Sequence, residues 1–192
     1  NLSLEDKAFQ KSAALNELEE KLYNSVKYQL RSDVPLGVLL SGGLDSSSIV
    51  KIIRELYTKQ EIMAFNAKFE NKDGLDNKYA KIISKEFSLN LQSLLIDDER
   101  FDTAYLEILP YLDEPLADSA LIPNYLLSKK ANSMGIKVLI SGAGGDEIFG
   151  GYSRHFVNRL FTAPWLTSSN LKCFLFKNIF KYLNKNLYHR FS

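Results

Sequence analysis

The fold is decided by residues 36–46, which read LGVLLSGGLDS. Leu36 to Leu40 is a short apolar run that predicts a buried strand, and Ser46 to Tyr57 has the apolar spacing of a helix. A glycine-rich turn therefore joins a strand to the start of a helix. Glycines let the main chain approach a ligand closely, and amides at a helix N-terminus point toward an anion. The stretch predicts a loop that binds a polyphosphate.

Short apolar strands alternate with helices along most of the chain. Strands are predicted at residues 36–40, 62–69, 91–96 and 138–140, and helices at residues 4–31, 46–57, 75–87, 101–109 and 121–134. Ser3 is expected to cap the first helix. This alternation predicts an α/β fold with a parallel sheet of at least four strands flanked by helices. Ligands of such sheets bind at the carboxyl ends of the strands.

The first glycine-rich loop combines hydroxyl donors with one acid. Ser41, Ser46 and Ser47 can donate hydrogen bonds, and Asp45 stands among them. No Lys follows in the P-loop pattern, so the loop is not built to hold a transferring γ-phosphate. A carboxylate beside phosphates predicts a Mg²⁺ ion between them, because the like charges would otherwise repel.

A second glycine-rich loop follows the fourth predicted strand, at residues 141–151, SGAGGDEIFGG. Five glycines in eleven residues are costly to order and predict a tight main-chain path around a ligand. Asp146 and Glu147 lie in that path and can hold Mg²⁺ or a basic group. Both loops come directly after predicted strands, so we expect them at the same edge of the sheet.

The composition of the 192 residues is that of a globular domain, with 45% hydrophobic residues and a net charge of +1. No run of about 18 apolar residues predicts a membrane span. The single cysteine, Cys173, excludes an internal disulfide and is interpreted as buried or incidental. His155 and His189 lack metal-ligand spacing. The chain has no initiator Met, and we expect it to be a piece of a longer protein.

The last part of the chain differs in charge from the rest. Residues 151–192 hold seven Lys or Arg, no Asp or Glu, and ten aromatics. Such a segment could contact nucleic acid or a membrane surface, but aromatic spacing of this kind is more often a helical core face. We therefore expect packing against further sequence, with no nucleic acid partner.

The string S-G-G-x-D-S at residues 41–46 resembles the pyrophosphate loop of the ATP pyrophosphatases, which have the adenine nucleotide alpha hydrolase-like fold. Residues 141–152, with the setting at 34–40, closely resemble the asparagine synthetase and β-lactam synthetase group. The segments 113–119 and 122–127, and Asp76 with Tyr79-Ala80, also match that group. The resemblance covers roughly residues 15–155 and implies the C-terminal synthetase domain of a glutamine-hydrolysing asparagine synthetase.

The resemblance implies an ATP-dependent carbon–nitrogen ligase that adenylates a carboxylate, releases pyrophosphate and forms an amide with ammonia. It assigns three roles at the residues that match the family motifs. The metal ligands would be Asp45 and Asp146, and the catalytic residues would be these two together with Glu147. ATP would be bound by Leu40, Ser41, Gly42, Gly43, Asp45, Ser46, Ala67, Ser141 and Gly142.

One departure concerns the substrate. Asparagine synthetases of the best-known kind carry Glu where this chain has Ala143, and that Glu is associated with forming aspartyl-adenylate. Three interpretations stay open: asparagine synthesis from aspartate, amidation of another carboxylate such as a sugar acid or an antibiotic precursor, and a non-catalytic nucleotide-binding module.

The resemblance also implies a domain plan and partners. We expect a leading helix at residues 1–31, an ATP pyrophosphatase core at 32–155, and the helical, basic and aromatic start of a truncated part at 156–192. A glutamine-hydrolysing domain is expected on the same full-length chain, in the cytoplasm, and a homodimer is left open.

Overall fold

The computed structural model describes residues 4–152 and 155, apart from 59, 71–74, 115, 117 and 119. The strands are β1 (Leu36–Leu39), β2 (Met63–Phe69), β3 (Asn90–Ile96) and β4 (Val138–Ile140). The helices are α1 (Leu4–Gln29), α2 (Leu44–Leu56), α3 (Leu75–Glu86), α4 (Asp98–Ile108), α5 (Leu121–Ser133) and α6 (Gly145–Phe149), with one 3₁₀ turn at Leu109–Tyr111. The Ser3 cap and the segment 156–192 lie outside the described residues.

The four strands form one parallel sheet in the order β3-β2-β1-β4, which confirms the predicted fold class. Strands β2 and β3 are added in turn on one side of β1, whereas β4 pairs with the other side of β1. The strand order therefore reverses between β1 and β4. A crevice opens at the carboxyl ends of two strands at such a reversal, and ligands bind there.

Helices cover both faces of the sheet because successive side chains of a strand point to opposite faces. Ala64 of β2 belongs to a core that includes Val26 of α1 and Val50 of α2. The next residue, Phe65, belongs to a second core with Leu127 of α5. Both β2 residues are fully buried, as expected for a strand in the interior of a two-sided sheet.

The strand predictions are accurate to within one residue, whereas some helix ends are wrong. Helix α4 begins at Asp98, three residues before the predicted start, because the Asp97 carboxylate caps it by accepting a hydrogen bond from the Arg100 amide at 2.8 Å. Helix α2 begins at Leu44, two residues early, and α1 ends at Gln29, two residues early. Helix α6 was not predicted, because its glycines argue against a helix.

The C-terminal end of α2 is tied to the loops around it by one side chain. The Arg54 guanidinium donates hydrogen bonds to four main-chain carbonyls, those of Phe87, Tyr57, Gln60 and Ser88, at 2.8 to 3.1 Å. Ser88, after α3, has a positive φ of 49°, which is unfavourable for a residue other than glycine. Arg54 therefore stabilises the connection between α3 and β3.

The chain divides into two units, Asn1–Gly142 and Ala143–Ser192. The sheet and both cores belong to the first unit, and α6 belongs to the second. Within the described residues, no helix is both long and apolar enough to cross a membrane.

Candidate functional site

The two glycine-rich loops begin at neighbouring strands of the sheet. A Cβ atom placed on Gly142, which follows β4, would lie 2.9 Å from the amide nitrogen of Ser46 and 3.1 Å from Cβ of Asp45. Real Cβ atoms essentially never approach a main-chain atom under 3.0 Å, so only glycine permits this packing. The structure therefore brings the start of the second loop, at Gly142, against the first turn of α2.

The N-terminus of α2 has amides that no side chain caps. The N-cap residue is Gly43, whose carbonyl accepts the first helical hydrogen bond from the Ser47 amide at 3.1 Å. The amides before Ser47 have no acceptor in the helix itself, as at every helix start. Uncapped amides at the positive end of a helix bind an anion such as a phosphate.

The serine hydroxyls of the first loop bond to the loop itself. Ser41 Oγ accepts a hydrogen bond from the Gly43 amide at 3.2 Å and lies 3.0 Å from Ser46 Oγ. The hydroxyls of Ser46 and Ser47 both donate to the Gly43 carbonyl. These bonds fix the loop in its turn. A Ser47 hydroxyl that donates to a ligand, as the sequence suggests, must first leave the Gly43 carbonyl.

A pocket of about 540 Å³ opens beside the first loop, at the carboxyl ends of β1 and β2. Two predicted ATP ligands, Leu40, which directly follows β1, and Ala67 of β2, line it together with Ser41. The register of β1 with β2 ends at Leu39 opposite Phe65, so β2 continues past the end of β1. Ala67 consequently has no β1 residue opposite it, while on its other side it pairs with Leu94 of β3.

Four polar residues that line this pocket were not predicted from the sequence as site residues: Asn66, Lys68, Asn77 and Asn124. Asn66 is 3% exposed and Asn77, on α3, is 8% exposed. Lys68 is the only charged residue among the described residues that line the pocket. Asn66 carries a signal that could have been used, since it is polar within the apolar run of β2. Asn77 and Lys68 carry none, because only the tertiary fold brings them to the pocket.

The second loop forms a short helix that presents two acids. Gly144 and Gly150 flank α6 with φ of 97° and 77°, a region in which other residues are strained. The Asp146 carbonyl accepts hydrogen bonds from the Gly150 amide at 2.9 Å and the Gly151 amide at 3.2 Å. A Cβ atom on Gly151 would overlap Asp146 Oδ1. These glycines are therefore required to fold the main chain around Asp146.

The side chains of the second loop and of His155 after it have the following surroundings. The Asp146 and Glu147 side chains are both exposed, and Glu147 Oε1 accepts a hydrogen bond from the Tyr152 hydroxyl at 2.6 Å. Ala143 is exposed as well. His155 packs edge-on against Tyr152, with ring centroids 5.4 Å apart. Cys173 and His189 lie outside the described residues.

The acids do not form a preassembled metal cage. Among the residues that the structure describes, no group of three or more His, Cys, Asp or Glu could hold a metal ion. Asp45 is half-buried in the first turn of α2. Asp45 and Asp146 belong to different units, each of which is described by itself, so their joint binding of Mg²⁺ stays a prediction.

A second cavity of about 540 Å³ lies between α4 and α5. Two of its lining residues, Glu107 and Lys129, belong to a cluster in which Glu107 Oε2 accepts hydrogen bonds from Lys129 at 2.6 Å and Tyr125 at 2.9 Å. The hydrogen bond from Lys129, followed by that from Tyr125, lowers the pKa of the Glu107 carboxyl, and the same contact raises the pKa of Lys129. The cluster accounts for these polar groups without a ligand.

The strand, glycine loop and helix at a point of strand reversal define an α/β domain of the ATP pyrophosphatase type. A similar fold is found in the U34-tRNA thiolase NcsA from Methanococcus maripaludis, with a TM-score of 0.52 and 17% identity over 77% of this chain and 52% of that one. The chain belongs to the asparagine synthase family, which matches residues 17–190.

Two relatives show how much of a family member is present. The chain is 36% identical over 139 residues to asparagine synthetase (glutamine-hydrolyzing) 1 from Bacillus subtilis, covering 72% of this chain and 22% of the relative. It is 32% identical over 151 residues to asparagine synthetase B (glutamine-hydrolyzing) from Escherichia coli, covering 71% of this chain and 27% of the relative. The chain therefore spans about a quarter of the length of these relatives.

Proposed function

We propose that this chain is the ATP-using part of an asparagine synthetase-type enzyme, which adenylates aspartate and amidates it with ammonia derived from glutamine. The observation that carries the proposal is the packing of Gly142 against Asp45 and Ser46, which places the end of β4, where the second loop begins, at the uncapped start of α2. Family membership supports the same chemistry.

The nucleotide is proposed to lie across the first unit, from the pocket to the first loop. Adenine would occupy the pocket at the end of β2, where Ala67 has no β1 residue opposite it and its main chain would offer hydrogen bonds to a base edge. The phosphates would meet the first turn of α2, where the amides and the helix dipole favour negative charge. Ser41, which lines the pocket and belongs to the loop, would lie between the two parts.

Mg²⁺ fits the residues present, because proteins usually hold it through one or two carboxylates together with substrate phosphates. Asp45 and Asp146 are the proposed ligands, and both are carboxylates in glycine-rich loops. The ion would neutralise negative charge on the phosphates. Two carboxylates suffice for this role, so the lack of a three-acid cluster among the described residues is compatible with it.

The proposed chemistry has two steps that balance. An oxygen of the substrate carboxylate attacks the α-phosphorus of ATP, the bond to pyrophosphate breaks, and an acyl-adenylate forms. Ammonia then attacks the acyl carbon, AMP departs with the bonding electrons, and the nitrogen loses a proton to give the amide. The amides of α2 would bind the departing pyrophosphate and stabilise its charge, which is the largest kind of contribution available to such a site.

The ammonia source and the assembly are part of the proposal. The two relatives named above are glutamine-hydrolysing enzymes several times longer than this chain. We therefore propose a glutamine-hydrolysing domain on the same full-length protein, which acts in the cytoplasm. A homodimer is compatible with this proposal.

The proposal is tested by the exchange of labelled pyrophosphate into ATP in the presence of aspartate. We expect Asp45→Asn to slow exchange in the full-length protein by about 100-fold or more, since it removes a metal ligand. Asp98→Asn is the matched control, because Asp98 also lies in the first turn of a helix but outside both loops. Near-normal exchange by Asp45→Asn would contradict the assignment.

A second candidate is amidation of a different carboxylate, and Ala143 is the observation that favours it. Ala143 is exposed, and it stands where the family resemblance leads us to expect a Glu carboxylate. If that acid matters for aspartate, the wild type exchanges poorly with aspartate and Ala143→Glu improves it. Brisk exchange in wild type that Ala143→Glu does not improve would leave aspartate as the substrate.

A non-catalytic nucleotide-binding module is the third interpretation. The retained acids of both loops, Asp45 and Asp146, argue against it. ATP binding by the full-length protein without pyrophosphate exchange, for any of a panel of carboxylates, would favour the module.

A further inference from the structure

The side chain of Asn66 is oriented by a bond at the base of the pocket. Asn66 Nδ2 donates a hydrogen bond of 2.8 Å to the carbonyl of Leu40, the residue that precedes the first loop. This bond fixes which end of the carboxamide is the donor, because an oxygen in its place would face another oxygen. Asn66 Oδ1 is then left buried without a hydrogen-bond partner in the described part of the chain.

Asn77, on the helix that packs over β2, also has a buried carboxamide oxygen without a partner among the described residues. It lies on α3, lines the same pocket, and is 8% exposed. In the described part of the chain three buried side-chain atoms are in this condition, and Asn66 and Asn77 supply two of them; the third, Nδ1 of His155, lies in the other unit.

Two unpaired acceptors in one pocket call for donors. The great majority of buried polar atoms in folded proteins have a partner, and leaving one unpaired costs about 1–3 kcal/mol. No other described polar group of the pocket donates to these two oxygens: Lys68 and Asn124 make no hydrogen bond to either, and Ser41 is engaged with Ser46 and Gly43 in the loop. A ligand that carries N–H or O–H groups would supply the donors.

We propose that Asn66 and Asn77 set the nucleotide specificity of this pocket by accepting hydrogen bonds from the nucleotide. The inference rests on the proposed function, because it takes ATP as the occupant. ATP offers donors of this kind in two places, the exocyclic amino group of adenine and the hydroxyls of ribose. A nucleotide that lacks the matching donor leaves a carboxamide oxygen unpaired and binds more weakly.

The test measures dissociation constants by calorimetry for ATP and three analogues. Purine riboside triphosphate lacks the amino group, and 2′-deoxy-ATP and 3′-deoxy-ATP each lack one hydroxyl. The proteins are the wild type, Asn66→Leu, Asn77→Leu, and Asn77→Asp, which keeps an acceptor. Asn90→Leu is the matched control, since Asn90 is exposed at the amino end of β3 and bonds to Glu61.

We expect the wild type and Asn90→Leu to bind at least one analogue roughly 5- to 150-fold more weakly than ATP. In Asn66→Leu or Asn77→Leu the ratio of the analogue's dissociation constant to that of ATP falls to about 2-fold or less. Asn77→Asp keeps the wild-type ratio for the analogue that lacks the donor bound by residue 77. A merely structural role would weaken all four nucleotides equally.

The inference is overturned if the wild type does not distinguish any analogue from ATP, or if both Leu variants keep the wild-type ratios. These results would leave ATP binding intact and so spare the proposed function. A wild-type protein that does not bind ATP would instead overturn both.

Discussion

The approach of Gly142 to α2 allows a sharp test by the substitution Gly142→Ala. The added Cβ atom would lie 2.9 Å from Ser46 N, 3.1 Å from Asp45 Cβ and 3.2 Å from the Asp45 carbonyl carbon. All three atoms belong to or adjoin the main chain, so no flexible side-chain end can move aside. Ordinary contacts between such atoms are about 3.5–4.0 Å, and the first turn of α2 must therefore retreat by roughly 0.5 Å.

The magnitude follows from that displacement. Overpacking of this kind costs about 1–3 kcal/mol of the free energy of unfolding, which lowers Tm by about 2–10 °C for a chain of this size. The affinity for ATP should fall further, by about 10-fold or more, because the displaced amides include those proposed to bind phosphate and one charge-assisted hydrogen bond is worth about 1.5–3 kcal/mol.

The assay pairs thermal unfolding with calorimetric titration of ATP. Gly135→Ala is the matched control: Gly135 has a φ of 81° and open space around it, so Ala there is strained by about 1–2 kcal/mol at a point before β4 and away from both loops. Gly135→Ala should lose stability and keep its ATP affinity. If Gly142→Ala binds ATP as tightly as Gly135→Ala, the proposed role of the loop contact is refuted.

Three further predictions concern side chains outside the first loop. Arg54→Met leaves four carbonyls without their guanidinium partner and should lower the free energy of unfolding in urea by about 2–3 kcal/mol; a change under about 0.5 kcal/mol would contradict it. Lys68→Ala should weaken ATP binding by about 3- to 10-fold but leave adenosine binding unchanged, because the cation acts on phosphate charge; equal losses would show a packing role. In an NMR titration the pKa of Glu107 should lie below its ordinary value and return toward it in Lys129→Met. The lowered pKa stabilises the fold at pH values above the pKa of the unfolded carboxyl, and this stabilisation is lost as the pH falls through the pKa of the folded state.

The strands were predictable because their signal is local. A run such as Val138–Ile140, bounded by Lys137 and the second glycine-rich loop, reads as a buried strand from composition alone, and the structure places β4 there. The start of α4 was also readable, since Asp97 followed by two acids is a helix-start pattern that the prediction did not use. Helix α6 was not readable, because its ends depend on the positive φ of Gly144 and Gly150 rather than on propensity.

The site was predictable only in part. The first loop and the strand that precedes it follow from the order of residues along the chain. The contact of Gly142 with Ser46 does not, because it requires β4 to lie beside β1, which the sequence spacing leaves undetermined. The position of Asn77 in the pocket depends in the same way on how α3 packs, and the unmet acceptors of Asn66 and Asn77 appear only in three dimensions.

The two ends of α2 differ: Arg54 hydrogen-bonds the last turn to four carbonyls of neighbouring loops, whereas the first turn has uncapped amides. We therefore expect any adjustment of α2 to a ligand to be larger at Leu44, in its first turn, than at Leu56, beside the Arg54 hydrogen bonds. The rearrangement that anion binding requires would then fall on the first loop, and the connection that Arg54 holds at the other end of α2 would be spared.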